Sequence, residues 1–518
     1  MEDLKLFTLH CTLVKNAYKK YYIIIESFFS IGFCCISLEH TVKKKIFHEE
    51  KRKKEFVIAT VAKVSRKREL WLVVSVNKIS AERIEKEIGV MDREAAKRAL
   101  QSEKASGFFK EMYGTGAAEN EKRYEHVLEE FGQAFGEKNV SMFTSAGRTE
   151  ISGNHTDHNN GKVLAGSINL DCVACAAANG TDEIHIISET YNQKFTININ
   201  NLKPSDKMAG TIDLTKGMLA GFQEMGYQIG GFDAYITSNV ISSAGVSSSA
   251  SYEMLICSMI NEFFNDGKVD VVTYAHVGKY AENKYWNKGS GLLDQMACAV
   301  GGMITIDFKN PLKPVVEKID YDFGAQDHSL IIVQTGKGHA DLSEEYSSIP
   351  NEMKRVAAVF GKEFCADITE KEVIDNAEKV RKEAGDRAFL RALHFFEENK
   401  RVEKEVKALK ENRFDEFLDL ITESGNSSWK WLQNCYVPGS EEQGITSALA
   451  LTELFIKEKG CGACRVHGGG FAGVIMAMLP NRVADEYITY IEKAMGPGSA
   501  YRMSIRPYGA VCVDGYIA

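Results

Sequence analysis

The stretch Gly147-Arg148-Thr149-Glu150-Ile151-Ser152-Gly153-Asn154-His155-Thr156-Asp157-His158-Asn159-Asn160-Gly161 constrains this chain more than any other. It follows a short apolar run, Val140 to Phe143, and sets an arginine, a histidine and an aspartate between glycines. An apolar strand that ends this way is either a solvated glycine-rich turn or a place where backbone and polar side chains meet a ligand. Two later stretches, Ser242 to Ser251 and Gly468 to Gly473, favour the second reading, provided folding brings all three together.

The second stretch is Ser242-Ser243-Ala244-Gly245-Val246-Ser247-Ser248-Ser249-Ala250-Ser251, and helix-like composition follows from Tyr252 to Ile260. Small residues ahead of a helix let backbone N–H groups converge on one concavity, and the helix N-terminus adds partial positive charge there. A polyphosphate needs such a cradle. The bland alternative is a serine-rich N-cap. The lysine that a Gly-x-x-x-x-Gly-Lys phosphate loop requires is missing, so that family is excluded. The third stretch, Gly468-Gly469-Gly470-Phe471-Ala472-Gly473, is either a strand turn or a backbone that must approach a ligand closely. Between them, Gly291-Leu292-Leu293-Asp294-Gln295 places an acid among leucines. Unpaired burial of a carboxylate is costly, so Asp294 is either a paired structural acid or a functional one.

The rest of the chain supplies the frame. Tyr124, Val127, Leu128, Phe131 and Phe135 fall at helical spacing within 119–135. Strands are predicted at 140–143, 163–176, 184–187, 232–236, 303–308 and 329–334, and a helix at 270–286 that contains Glu282. Residues 350–435 read as mostly helical and charged, with Phe389, Leu390, Leu393, Phe396 and Phe417 as core contacts, and a domain boundary near 326–350. A chain of 518 residues with net charge −8 has room for several domains and offers no basic face to a nucleic acid. Its twelve cysteines are scattered, which suits a reducing compartment, here the cytoplasm. The Cys172/Cys175 and Cys461/Cys464 pairs could hold zinc, but the first sits in a strand-like run where residues three apart point to opposite faces.

Residues 1–90 do not resemble the remainder. The apolar run Tyr21 to Ser37 contains Glu26 and is shorter than the ~20 residues a membrane helix needs. A membrane anchor is the alternative reading. The preferred one is an atypical extension, non-native or disordered, with Met91 as a plausible start and domains at 91–330 and 331–518.

The three stretches and Gly291-Leu292-Leu293-Asp294-Gln295, in this order and at these separations, resemble the galactokinases, part of the wider superfamily of galactokinase, homoserine, mevalonate and phosphomevalonate kinases. The family's first motif reads Gly-Arg-Val-Asn-Leu-Ile-Gly-Glu-His-Thr-Asp. The resemblance implies an α+β fold: an N-terminal mixed sheet with helices that binds ATP and sugar, a C-terminal helix-rich α/β sandwich, and an active site between them. It implies transfer of the γ-phosphoryl of ATP to the anomeric hydroxyl of galactose, with Asp294 and Arg148 catalytic. Asn154, His155, Thr156, Asp157 and Tyr346 would bind sugar. Ser188, Ser243, Ala244, Gly245, Val246, Ser247, Ser248 and Ser249 would bind ATP, and Ser249 with Glu282 would hold Mg²⁺. The sequence departs from the family at Asn154, where a glutamate is usual, and at Ala146, where a proline is usual. An amide donates as well as accepts, so Asn154 puts the sugar's identity in question more than the reaction. The alternatives are a kinase of the same fold acting on N-acetylgalactosamine or arabinose, and a sugar- and ATP-responsive sensor without turnover. The partners implied are small molecules, with no nucleic acid and no membrane. Oligomeric state is not encoded in these motifs.

Overall fold

The computed structural model describes residues 91–518 except 206–209, 243–244, 288–289, 337–341 and 472, together with the backbone of five strands within 1–90. The chain divides into two units, Met1–Val90 and Met91–Ala518. In the first, His10–Lys15 pairs with Tyr21–Glu26, and Val42–His48, Glu55–Lys63 and Trp71–Ser80 form a three-stranded antiparallel sheet. The rest of that stretch lies outside the described residues. Among the described residues, no helix is long and apolar enough to cross a membrane.

The second unit is built on one long antiparallel pair, β1 (Asn139–Ser152) and β2 (Lys162–Ala178). The predicted strand 140–143 therefore continues through the first half of the motif that was expected to be a loop. Both faces of the pair are covered. Phe143, Ile151, Cys172, Ala174 and Ala176 enter the main core, while Val140, Met142, Val173, Cys175 and Ala177 enter a second one. This two-sided burial is why the segment reads as an uninterrupted apolar run. It also sends Cys172 and Cys175 to opposite faces, as the pleat requires.

Helices α1 (Arg93–Leu100), α2 (Glu103–Tyr113) and α3 (Ala117–Phe135) cover the second face. Asp92 and Ser102 cap the first two by accepting from Ala95 N and Ala105 N. Tyr124, Val127, Leu128 and Phe131 of α3 are buried there, as their spacing predicts. The sheet continues with β3 (Glu183–Ser188), β4 (Gln193–Asn198), β5 (Phe232–Ser238), β6 (Met303–Asp307) and β7 (Val315–Ile319) in the order β4-β3-β5-β2-β6-β7. It is mixed, because β5 runs parallel to β3 and antiparallel to β2. Helices α4 (Thr211–Glu224), α5 (Ser248–Asn265), α6 (Val271–Tyr285) and α7 (Leu293–Val300) lie between the serine stretch and β6 in sequence, or just before it. Leu214, Met254, Ile256, Val277 and Cys298 bring all four into the main core.

A second, four-stranded antiparallel sheet follows. It consists of β8 (His328–Gln334), β9 (Ala463–His467), β10 (Val474–Pro480) and β11 (Ala500–Met503), in the order β9-β10-β8-β11. Leu330, Ile332, Met476 and Met478 join the main core, so the two sheets share it, while Ile331, Val333, Ile475 and Ala477 face a separate cluster on the other side. Helices α8 (Ser343–Val359), α9 (Asp386–Lys410) and α10 (Phe414–Ser427) fill the connection from β8 to β9. Phe396 and Phe417 are buried as expected. Phe389, Leu390 and Leu393 are only partly buried, and Ala388, Arg391, Ala392 and Phe395 form the inward face of α9 instead. The displacement has a cause: Arg391 is buried because Glu352 Oε2, 2.8 Å away, and the Leu432 carbonyl receive it. Phe389 and Leu393 still pack against a core cluster from its edge.

Candidate active site

One cavity of about 810 Å³ is lined by residues from all three motif stretches. β1 supplies Arg148 and Glu150, two residues apart and so on one face of the strand. The register of β1 against β2 shifts between Ala146 and Arg148 and again between Glu150 and Ser152. Such irregularities re-aim side chains. The turn after β1 supplies His155, Asp157 and His158, the serine loop Gly245 to Ser249, α7 Asp294 and Gln295, α8 Tyr346, and the glycine cluster Gly468 and Gly469.

At the centre, Arg148 Nε and Nη2 lie 2.8 and 2.7 Å from Asp294 Oδ1. Arg148 Nη1 donates to the Gly245 carbonyl, and its backbone N–H to Val246 O at 3.1 Å. Ser247 Oγ donates to Asp294 Oδ2. A single carboxylate thus ties the strand, the serine loop and α7 together, and Asp294 is both paired and cavity-facing. Burial works against the Arg148 charge, but Asp294 and Glu150 outweigh it and hold the guanidinium above its ordinary pKa.

The serine loop turns on backbone that few residues adopt. Gly245 has φ +66° and Ser247 φ +60°, immediately before the first residue of α5. Ser247, Ser248 and Ser249 then open the helix with their N–H groups not yet committed to it. Val246 puts its side chain in the core. Below the loop, Ser249 Oγ donates to Glu282 Oε1 at 3.2 Å, and Gln295 Nε2 bridges Glu282 Oε2 and Glu253 Oε2 at 3.1 and 3.0 Å. Glu282 is almost fully buried, beneath the lining rather than part of it. Ser243 and Ala244 lie outside the described residues.

The turn after β1 alternates in role. His155 has φ +61° and its Nε2 lies 2.9 Å from Gly469 O, an acceptor, so this nitrogen carries the proton and donates. Burial, only partly offset by that contact, pushes its pKa down to about 4. Asp157 faces the cavity beside Gly291, where any Cβ would stand 2.2 Å from Asp157 Oδ2. Asn154 and Thr156, expected among the sugar contacts, point the other way and are fully buried. Thr156 Oγ1 closes the turn on Gly153 O and Lys162 O at 2.9 and 2.6 Å. Asn154 Nδ2 donates to Glu150 Oε1 (2.7 Å) and Gly468 O (2.6 Å), its Oδ1 accepts from Asn434 Nδ2 (2.7 Å), and its carbonyl from His394 Nε2 (2.9 Å). Ser188, at the end of β3, is likewise buried against β4 and β5, away from the lining.

The glycine cluster is needed for packing as well as for approach. A Cβ at Gly469 would meet Tyr346 Cε1 at 2.4 Å, and one at Gly470 would meet Asn434 O at 2.2 Å. Tyr346 OH donates to Gly470 O at 3.0 Å, which anchors α8 over the cluster. Glu150, His158 and Gln295 escaped the sequence reading. Glu150 had a signal, since it stands two positions after Arg148 on a strand; the other two had none beyond adjacency to Asp157 and Asp294.

Comparison with known proteins agrees with this geometry. Residues 129–178 match the galactokinase galactose-binding signature, and residues 213–302 the GHMP kinases N-terminal domain. The Clostridium perfringens galactokinase is 30% identical over 388 residues, which cover 71% of this chain and 93% of that protein. The Clostridium tetani galactokinase is 28% identical over 373 residues, covering 71% and 91%. The crystal structure of Lactococcus lactis galactokinase complexed with galactose has a TM-score of 0.64 at 24% identity, covering 74% of this chain and 98% of that one, and shares the fold. With motifs, cavity and relatives in agreement, this chain belongs to the galactokinase family.

Proposed function

We propose that this enzyme transfers the γ-phosphoryl group of ATP to the C1 hydroxyl of galactose, giving galactose 1-phosphate and ADP. The observation that carries the proposal is Asp294, held between Arg148 and Ser247 where the turn after β1 and the serine loop share one cavity. The sugar lies against His155, Asp157 and Tyr346, and the triphosphate against Gly245 to Ser249 with the N-terminus of α5 behind it. His155 donates from Nε2 to Gly469, which leaves Nδ1 as an acceptor for a sugar hydroxyl.

Phosphoryl transfer asks for alignment and charge stabilisation more than for a strong base. Asp294 orients the hydroxyl by accepting its hydrogen bond. As the oxygen–phosphorus bond forms and the bond from the γ-phosphorus to the β,γ-bridging oxygen breaks, the hydroxyl proton passes to Asp294 and ADP leaves. Arg148, against the same carboxylate, faces the charge spread over the transferring oxygens. Ser249 and Glu282 suit Mg²⁺: both offer hard oxygen donors, they stand 3.2 Å apart below the loop, and an octahedral ion with phosphate and water ligands needs only one or two from protein. Bound there, Mg²⁺ would neutralise charge on the β- and γ-phosphates. A cytoplasmic location belongs to the same proposal, and the described cysteines are all free thiols. The test is transfer of labelled γ-phosphate over a panel of galactose, N-acetylgalactosamine and arabinose. Galactose is expected to lead; if it is the poorest acceptor, the assignment fails.

A further inference from the structure

Against the family's first motif, two residues of this chain are exchanged. The motif carries asparagine three positions and glutamate seven positions after its first glycine; here those positions hold Glu150 and Asn154. The structure gives the exchange a meaning. Residue 154 is fully buried and committed on every side, to Glu150, Gly468, Asn434 and His394. Residue 150 lines the cavity on the same face of β1 as Arg148. Its Oε1 accepts from Asn154 at 2.7 Å and faces Arg465 Nη2 at 3.3 Å, and its backbone N–H reaches His467 Nε2 at 3.3 Å. Both of these side-chain contacts fall on Oε1.

We propose that Glu150 supplies, from the strand, the carboxylate with which this enzyme accepts a hydrogen bond from a hydroxyl of its sugar, and that Asn154 is the buried strut that positions it. A carboxylate thus stands in the cavity at 150, while residue 154 is enclosed behind it. Asn154 suits the strut's place because an amide can donate to Glu150 and to a carbonyl while accepting from Asn434; a glutamate there would face Glu150 as a like charge. The inference rests on the sugar-kinase reading, but not on which hexose is preferred.

The experiment measures kcat/KM for the best hexose acceptor and for its four monodeoxy analogues, with wild type, Glu150→Gln, Asn154→Ala and the double variant. A lost hydrogen bond to a charged group corresponds to about 10- to 100-fold. Glu150→Gln is expected to lower kcat/KM for the parent sugar by about that factor, chiefly through KM for sugar, with KM for ATP unchanged. At one deoxy position the variant should lose the penalty that wild type shows. Asn154→Ala should shrink the same penalty in the wild-type background and not in the Glu150→Gln background, a pattern that mere loss of stability does not produce. An equal drop for the parent and all four deoxy sugars, or no drop at all, overturns the proposal. Failure of wild type to use galactose would count against the galactose assignment alone, since the series is built on whichever hexose it phosphorylates best. Glu150→Gln keeps the side chain's shape, and its melting temperature near that of wild type confirms that the comparison is between folded enzymes.

Discussion

The turn after β1 and the serine loop bring left-handed backbone to the same cavity but are held in different ways. In the turn, each residue that faces the cavity is backed by one that does not: Asn154 and Thr156 are buried and hydrogen-bonded to Gly468, Asn434, Gly153 and Lys162. The serine loop is seated through Val246 in the core and Ser249 on Glu282, but its other ties run to residues that line the cavity. It is held by Arg148 through the carbonyls of Gly245 and Val246 and by Ser247 on Asp294. The turn is braced by side-chain bonds to buried partners; the serine loop is braced chiefly by the Arg148–Asp294 pair that itself lines the cavity. A perturbation of the turn should therefore register first as lost stability, and one of the loop as lost turnover.

The largest effect expected is in kcat. Asp294→Asn removes the proton acceptor and weakens the link between loop and strand, and turnover should fall by at least ~10²-fold while the melting temperature changes little. Near-wild-type turnover would remove Asp294 from its role. Next comes the contrast between Asn154→Ala and Ser247→Ala. The first removes three hydrogen bonds from buried groups, those to Glu150, Gly468 and Asn434, and should cost about 3 kcal/mol in urea unfolding. The second should cost about 1 kcal/mol or less in stability and show mainly in kcat. Equal stability losses would erase the distinction.

The turn should also carry a pH signature. The His155 imidazole stays neutral in the folded enzyme down to about pH 4, whereas in the unfolded chain it takes up a proton near 6.5. The unfolded state binds the extra proton between those values, so stability is fully present above about 6.5 and is lost as pH falls toward 4. His155→Gln is expected to reduce the loss across that window by about 1–3 kcal/mol in unfolding midpoints taken against pH, the remainder coming from His394 and His467, whose burial lowers their pKa in the same direction. The smallest difference is between two glycines. Gly161→Ala drives a Cβ to within 2.6–2.8 Å of Thr156, Asn399 and Phe395, and Gly245→Ala meets its nearest atoms at 3.4 Å but keeps φ +66°. The first should cost about 2 kcal/mol and the second about 1 kcal/mol, with a rise in KM for ATP only in the second.

Much of this was legible in the chain. The spacing of Tyr124, Val127, Leu128 and Phe131 gave the helix, and the small residues before Tyr252 gave the helix N-terminus, because both depend on neighbours within a few residues. The pairing of Arg148 with Asp294 was reachable only through resemblance. Arg148 and Asp294 are 146 positions apart, and no periodicity connects them. Asn154 and Thr156 are polar residues in a functional neighbourhood, yet each found buried partners and turned from the cavity, and Ser188 is buried off the cavity lining. On α9, Arg391 and Glu398 went inward while Phe389 stayed half-exposed, since a charge with a partner can be buried and a pattern of charges does not reveal partners.

By itself the sequence determined where strands, helices and glycine-dependent turns fall, since steric and hydrophobic preferences act over a few residues, and it carried the set of motifs that names the family. Only the tertiary structure decided which of the polar residues in those motifs face the cavity. Two register shifts in β1 and hydrogen bonds spanning up to 317 positions, as from Glu150 to His467, set Glu150 toward the cavity and Asn154 away from it. A side chain's direction follows from the partner that satisfies it, and that partner is brought into reach only by folding.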